Sequence, residues 1–311
     1  MSDVKYRLVT RSDFDGLVCA VLLNELELID EITFVHPKDM QDGKIAITDR
    51  DITTNLPYVP GAHLVFDHHE SETVRNAGRR DTNHIIEAHA PSAARVVYNH
   101  YGGKAAFPRI TDEMMAAVDQ ADSAQYSRED ILDPQGWVLL NYLMDSRTGL
   151  GRFREFRISN YALMMDLIKY CRDHTIEEIL ALPDVQERVQ LYREHAVRAK
   201  AQIQNCAIPI GNLVVLDLRE EETIWATNRF MVYALYPQAN ISIHVMWGLQ
   251  KQNTVFATGK SILNRSSNTH VGNLMLEFGG GGHAAAGTCQ LPNDKADAVL
   301  KTLVQRINAD G

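Results

Sequence analysis

The first hundred residues alternate short apolar runs with longer segments in which apolar positions recur at helical spacing. Strands are predicted at residues 6–10, 32–35, 45–48 and 63–66. Helices are predicted at residues 16–28 and 91–101, where Ser92 is a residue type favoured at helix starts. Strands that alternate with helices indicate a mostly parallel α/β sheet, and ligands then bind beyond the carboxyl ends of its strands.

The pattern changes twice in the rest of the chain. Residues 112–200 are predicted to be helical, ending in a connecting helix, and strand-like runs return at residues 207–218, 241–247 and 254–257. A length of 311 residues with 45% hydrophobic content suffices for more than one core. We therefore predict an α/β protein with a catalytic domain at residues 1–190, a connecting helix at 191–205 and a smaller α/β domain at 206–311.

Composition narrows the classes of function. The net charge of −9 argues against a protein that holds long nucleic acid, because such proteins usually carry a basic face. The longest apolar stretch is too short to cross a bilayer, and the first ten residues lack the apolar core of a signal peptide. The four cysteines have neither metal-ligand nor disulfide spacing. We expect a cytoplasmic protein that binds a small phosphorylated ligand and no membrane.

Acidic residues and histidines follow three of the predicted strands, where parallel strands would bring them to one edge of the sheet. These residues are Asp13, Asp15, Asp49, Asp67, His68 and His69. Carboxylates with imidazole suit Mn²⁺ or Mg²⁺, and two ions about 3.5–4 Å apart can clamp both oxygens of a displacement at phosphorus. The pattern predicts a metal-dependent phosphoester hydrolase in which Asp49 touches both ions.

A glycine run near the end of the chain predicts an anion site. Gly280, Gly281 and Gly282 precede His283, and a compact glycine loop can direct backbone N–H groups at a phosphate. His283 could donate to the same anion. Arg265 is the best candidate for a bidentate partner to it.

Five segments in this order resemble the DHH phosphoesterase superfamily with its DHH-associated C-terminal domain. The segments are SDFDG, ITD, FDHH, VDQADS and GGGGHAAAG. The resemblance covers nearly the whole chain and implies a two-domain enzyme, with metal ions in the first domain and substrate gripped by the second across a cleft.

The resemblance also implies roles for individual residues. Asp13 and Asp49 resemble ligands of one ion. The ligands implied for the other ion are Asp15, Asp49, His68 and Asp122. His69 resembles the residue that contacts the scissile phosphate, and Asp67 an acid that supports the site. Asp122 is preferred to Asp119 because the family acid usually precedes a small hydroxyl residue, here Ser123, and Asp119 stays the alternative.

One position departs from the family pattern. Many members have a histidine metal ligand two residues before the first of the paired acids, and this chain has Arg11 there. A guanidinium offers only donors and cannot coordinate a metal. Either the first ion then has a weaker shell completed by water or another residue substitutes as its ligand. Arg11 is a candidate for holding a substrate phosphate, and the number of metal ions, two by resemblance, is left open.

The glycine loop resembles that of nano-RNase-type members. The resemblance implies a phosphodiesterase that cleaves a short nucleotide, foremost a linear dinucleotide such as pGpG or pApA, by metal-activated water, with Mn²⁺ as the ion and Mg²⁺ as the alternative. The alternatives are an exopolyphosphatase and a catalytically impaired nucleotide sensor. A homodimer is one option for the oligomeric state. Candidates for base stacking are Phe153, Arg154, Phe156 and Arg157, with a packed helix edge as the other interpretation.

Overall fold

The computed structural model describes residues 4–69, 72–73, 81–153 and 155–311, which form two compact units. The first unit comprises residues 1–125, 135–146 and 150–190, and the second unit comprises residues 126–134, 147–149 and 191–311. Across the described ranges, none of the helices combines the length and the apolar composition that a membrane crossing requires.

Helices are interspersed among the strands in both units. The strands are β1 (Tyr6–Arg11), β2 (Ile29–Val35), β3 (Asp51–Thr54), β4 (Leu64–Asp67), β5 (His84–Ile86), β6 (Ala207–Ile210), β7 (Leu213–Asp217), β8 (Ile241–Trp247), β9 (Thr254–Lys260), β10 (Gly281–His283) and β11 (Ala286–Leu291). The helices are Phe14–Glu25, Pro37–Gln41, Ala93–His100, Asp112–Asp122, Arg128–Leu132, Gly136–Met144, Asn160–Asp173, Ile176–Ala181, Pro183–Cys206, Met231–Leu235, Val271–Glu277 and Asn293–Asp310.

The sheet of the first unit has the order β2-β1-β3-β4-β5, and all of its strand pairs are parallel. The carboxyl ends of its strands therefore share one edge, where residues that follow β1, β3 and β4 can meet. Helix Phe14–Glu25 is buried along most of its length, from Phe14 to Leu23, because it packs against other helices as well as against the sheet. The predicted α/β class with a mostly parallel sheet is confirmed.

One predicted strand is wrong. Residues 45–48 are not a strand, and the strand in this place is β3, six residues later. Two polar side chains of β3 are satisfied by β1, since Thr54 Oγ1 donates to Thr10 Oγ1 at 2.7 Å and Arg7 pairs with the buried Asp51 at 2.7 Å. Ile45 and Ile47 instead pack against a small apolar cluster beside the sheet.

The second unit contains a six-stranded mixed sheet with the order β10-β11-β9-β8-β7-β6. Only β7 and β8 are parallel, and the other pairs in this sheet are antiparallel. Apolar residues of β7, β8 and β9 pack with helices Val271–Glu277 and Asn293–Asp310 into one core. This arrangement confirms the predicted second α/β region at the end of the chain.

His244 of β8 predicts an acid sensitivity of the second unit. Burial lowers its pKa to about 4, whereas the unfolded chain titrates near 6.5. Its contribution to stability is therefore present above about pH 6.5 and is lost as the pH falls towards 4. We expect wild-type unfolding free energy to drop by about 2 kcal/mol more than that of His244→Gln between pH 7 and pH 5. Urea unfolding of both proteins at the two pH values measures this. An equal decrease in the free energy of unfolding for wild type and His244→Gln would contradict the prediction.

Candidate metal centre

The turn from β1 into the first helix places two carboxylates at the carboxyl edge of the sheet. β1 ends at Arg11, and Asp13 is the N-cap of helix Phe14–Glu25, with its Oδ1 accepting the N–H of Gly16 at 3.0 Å. The turn is so tight that a Cβ on Gly16 would lie 1.9 Å from the carbonyl oxygen of Arg11. Asp15 therefore projects from the first turn of a buried helix.

Asp15 is buried and held by the backbone of another helix. Its Oδ2 accepts the N–H of Ala93 at 2.9 Å, and its Oδ1 accepts that of Ala94 at 2.8 Å, both at the start of helix Ala93–His100. Burial, followed by the nearby charge of Asp122, raises the pKa of Asp15 to about 8. Two carboxylates in this position favour a bound cation, because a cation removes the repulsion between them.

His68 presents one ring nitrogen to these carboxylates. Its Nδ1 lies 3.2 Å from the carbonyl oxygen of Ala90, which only a protonated nitrogen can contact favourably. Its Nε2 lies 2.8 Å from Asp122 Oδ2 and 4.0 Å from Asp15 Oδ2. Burial acts to lower the pKa of His68, but the Asp122 carboxylate outweighs it and raises the pKa to about 9. A metal ion would therefore take the place of a proton on Nε2.

These three residues fit a divalent ion. Ligand atoms of Asp15, His68 and Asp122 all lie within 4.8 Å of one another. His68 Nε2 is buried without a well-formed hydrogen bond, despite its ion-pair contact with Asp122, and so are Asn55 Oδ1 and Asp67 Oδ2. Buried polar atoms in native proteins are normally satisfied, and an ion bound by Asp15, His68 and Asp122 would satisfy Nε2 of His68. Two carboxylates and one imidazole suit Mn²⁺ or Mg²⁺.

Asp13 has different neighbours from Asp15. Its Oδ2 pairs with Arg11 Nε at 2.9 Å, and its Oδ1 accepts Asn55 Nδ2 at 3.1 Å. Asn55 follows β3 directly, has a left-handed backbone conformation with φ of 55° and is buried. The structure thus joins Asp13 to a guanidinium and an amide.

The placement predicted for Asp49 is wrong. Asp49 is exposed in a turn that precedes β3, so it lies at the amino end of that strand and not at the carboxyl edge. The four residues of β3 alone span about 10 Å. Asn55 takes the position that the sequence interpretation assigned to Asp49. The signal for it was the β-branched run from Ile52 to Thr54 immediately before it.

Asp67 orients the second histidine of the pair. Asp67 is buried, and its Oδ1 lies 2.7 Å from His69 Nδ1 and accepts the backbone N–H groups of His68 and His69 at 2.8 and 3.3 Å. Burial acts to lower the pKa of His69, and Asp67 overcomes this and raises it. The carboxylate holds the Nδ1 proton, which directs Nε2 of His69 away from Asp67.

The structure separates the two acids between which the sequence left a choice. Asp119 Oδ2 accepts from Nη2 and Nε of Arg95 at 2.5 and 2.9 Å, and its Oδ1 accepts Ser92 Oγ at 2.7 Å. Asp122, the last residue of the same helix, lies beside His68 instead. Asp119 therefore fastens helix Asp112–Asp122 to helix Ala93–His100.

The predicted glycine loop is in part an edge strand. Gly281, Gly282 and His283 form β10, which pairs with β11, so the prediction of a compact loop over the whole run is wrong. His283 is exposed, and its Nδ1 accepts the N–H of Ala285 at 3.3 Å. Arg265 is exposed, with its Nε donating to the carbonyl oxygen of Ile262 at 3.1 Å.

Backbone hydrogen bonds bring the surroundings of these two residues to one end of the sheet. The carbonyl oxygens of Ala284 and Ala285 accept the N–H groups of Val271 and Lys260, at 3.2 and 2.8 Å. These partners flank residues 261–270, which include Arg265. The roles predicted for Arg265, His283 and the glycines in substrate binding stay predictions.

Two of the glycines offer a matched test of how tightly the glycine run packs against β11. A Cβ on Gly280 would lie 2.0 Å from the carbonyl oxygen of Thr288, whereas one on Gly281 would meet nothing within 4 Å. We expect Gly280→Ala to lower the free energy of unfolding by about 2–3 kcal/mol, and Gly281→Ala to change it by less than about 1 kcal/mol. Denaturant titration of both variants measures this. Equal stabilities would show that the backbones can move apart at no cost.

Two of the candidates for base stacking contact other side chains of the protein. The guanidinium of Arg188 lies 4.0 Å from the centre of the Phe156 ring, and Arg157 pairs with Asp184 at 2.6 Å. Phe153 is half-buried, and Arg154 lies outside the described residues. Phe156 thus follows the packed-edge interpretation, whereas Arg157 is exposed and forms an ion pair.

Known proteins resemble this chain at two levels. It is 65% identical to the pGpG-specific phosphodiesterase PggH from Vibrio cholerae, over 99% of this chain and 100% of that one, with a TM-score of 0.89. RecJ in complex with Mn²⁺ from Thermus thermophilus is 14% identical, over 98% of this chain and 52% of that one, with a TM-score of 0.53. CDC45 from Entamoeba histolytica is 9% identical, over 97% and 95%, with a TM-score of 0.52. The last two likenesses concern the fold alone. No protein-family model and no curated protein matches the chain.

Proposed function

This chain belongs to the DHH phosphoesterase superfamily, and we propose that it hydrolyses the linear dinucleotide pGpG to two molecules of GMP with the help of a divalent metal ion. The observation that carries the proposal is the 65% identity to a pGpG-specific phosphodiesterase over essentially the whole of both chains. The cluster of Asp15, His68 and Asp122 supports it, because hydrolysis of a phosphodiester needs positive charge at the reacting group.

The metal ligands proposed are Asp15, His68 and Asp122, with Mn²⁺ as the ion and Mg²⁺ as the alternative. When bound there, the ion would lower the pKa of a coordinated water and neutralise charge on the phosphate. Asp15 is fixed by two backbone N–H groups, and the ring of His68 is fixed by the carbonyl oxygen of Ala90. Such anchoring holds the ligand atoms in place before the substrate binds.

Charged side chains of the first unit would hold the scissile phosphate. His69 is fixed at Nδ1 by Asp67, which also raises its pKa, and the protonated ring can donate from Nε2 to a non-bridging oxygen. Arg11 has the donors to contact a second oxygen, because a guanidinium carries five N–H groups and the ion pair with Asp13 is made through Nε. We propose that Arg265 and His283 of the second unit bind the terminal 5′-phosphate of the dinucleotide.

A digestion panel with Mn²⁺ tests the proposal. It compares pGpG, pApA, a five-nucleotide RNA and polyphosphate on the full chain, with release of mononucleotides or phosphate followed by chromatography. We expect pGpG to disappear first and to yield GMP only. Preferential cleavage of polyphosphate would favour an exopolyphosphatase. Tight binding of pGpG without cleavage of any substrate would favour a sensor, and either result overturns the proposal.

A further inference from the structure

We propose that the centre holds one divalent ion and that the guanidinium of Arg11 supplies the positive charge that a second ion would bring. The inference rests on the proposed function in taking Asp15, His68 and Asp122 as the metal ligands. It departs from the two-ion arrangement that the sequence resemblance implied. The described residues contain a single cluster of three metal-ligating side chains, and that cluster excludes Asp13.

The carboxylate of Asp13 is already occupied by donors. Its Oδ2 lies 2.9 Å from Arg11 Nε, and its Oδ1 accepts both the backbone N–H of Gly16 at 3.0 Å and Asn55 Nδ2 at 3.1 Å. A metal ion on this carboxylate would have to displace the guanidinium, which carries a permanent charge and repels it. Asp13 therefore binds Arg11 where a two-ion centre would need it to bind metal.

The residue at the end of β3 cannot bridge two ions. A bridging carboxylate offers one negatively charged oxygen to each ion, whereas the carboxamide of Asn55 has one neutral oxygen. Asn55 is 1% exposed and is fixed in place by its bond to Asp13. Asp49, the other acid near this strand, precedes β3 and lies at the opposite edge of the sheet. At the end of β3 the described residues thus lack the carboxylate that would bridge to a second ion.

Arg11 is placed to compensate for the missing charge. It is the last residue of β1, at the same sheet edge as His68, and its side chain is 31% exposed. A guanidinium has five N–H donors, and Asp13 fixes its Nε, so the orientation of the other donors is restricted. Arg11 can therefore hold a phosphate oxygen of the substrate by charge-assisted hydrogen bonds, without any metal ligand of its own.

The count of bound Mn²⁺ ions tests the inference without reference to activity. Equilibrium dialysis with metal analysis gives the ions bound per chain, and electron paramagnetic resonance separates isolated ions from a coupled pair. We expect one ion per wild-type chain with the spectrum of an isolated Mn²⁺, and none in Asp122→Asn. Two ions per wild-type chain, or a spin-coupled spectrum, would overturn the inference. Retention of the ion by Asp122→Asn would overturn the assigned ligands.

A double variant designed to create a second metal site tests whether Arg11 and Asn55 exclude the second ion. The double variant Arg11→His, Asn55→Asp restores an imidazole and a carboxylate, and we expect it to bind a second Mn²⁺. A folded double variant that still binds one ion would show that Arg11 and Asn55 do not exclude the second. If it does not fold, the number of ions bound by the wild-type chain alone decides.

Turnover of pGpG on the same wild-type sample separates the two proposals. One bound ion without turnover overturns only the proposed function, and two bound ions with turnover overturn only this inference.

Discussion

We expect Asp122→Asn to lower the rate of phosphodiester hydrolysis by about 10³-fold at saturating substrate. A bound ion stabilises the charge of the transition state by several kcal/mol, and this variant should lose the ion. Asp122 lies 2.8 Å from His68 Nε2 and shares the candidate metal site with Asp15. Asparagine has nearly the same shape but lacks the negative charge that attracts a divalent cation. Steady-state kinetics with Mn²⁺, together with a metal-binding isotherm, measures the effect.

Asp119→Asn is the matched control, one turn earlier on the same helix. Asp119 pairs with Arg95 and Ser92 and not with the metal cluster, so its loss should reduce stability while metal binding and turnover change by less than about tenfold. If Asp119→Asn lost its metal and its activity and Asp122→Asn kept both, the ligand assignment would have to be reversed.

Gly16→Ala strongly destabilises the first unit. The added Cβ would lie 1.9 Å from the carbonyl oxygen of Arg11 and 2.8 Å from Thr10 Oγ1, and the clash with backbone cannot be relieved by a rotamer change. Relief requires β1 and the first helix to move apart. We expect a loss of about 4 kcal/mol, which lowers the melting temperature by on the order of 10 °C.

The same shift should weaken the metal site, since Asp15 lies one residue before Gly16 and its position follows the start of the helix. Thermal unfolding and Mn²⁺ binding are therefore measured together. Gly151→Ala is the control, because a Cβ there would meet only a side-chain amide of Asn160 at 3.4 Å, and its cost should stay below about 1 kcal/mol. A Gly16→Ala protein as stable as wild type would show that the turn from β1 into the helix has room for a side chain.

The amino-acid pattern predicted the part of the site that depends on local motifs. Asp15 lies in the first turn of the helix that follows β1, and His68 comes directly after β4, so the parallel sheet brings them together as predicted. Asp122 comes from a distant helix, and only the family resemblance gave a reason to prefer it to Asp119.

The errors arose where tertiary contacts outweigh local pattern. β3 is short and begins with Asp51, a residue type disfavoured in strands, whose charge is compensated by the pairing with Arg7. The shift of six residues from Asp49 to Asn55 follows from that one misplaced strand. The ion pair between Asp13 and Arg11 could not be predicted from the sequence either, because residue spacing does not show which of two acids faces the guanidinium.

The most direct test of the metal centre is diffraction at the manganese absorption edge from crystals grown with Mn²⁺. We predict an anomalous peak within about 2.5 Å of carboxylate oxygens of Asp15 and Asp122 and of Nε2 of His68. A protein that cleaves pGpG while its manganese binds to other residues, with no peak at these three, would contradict the central claim.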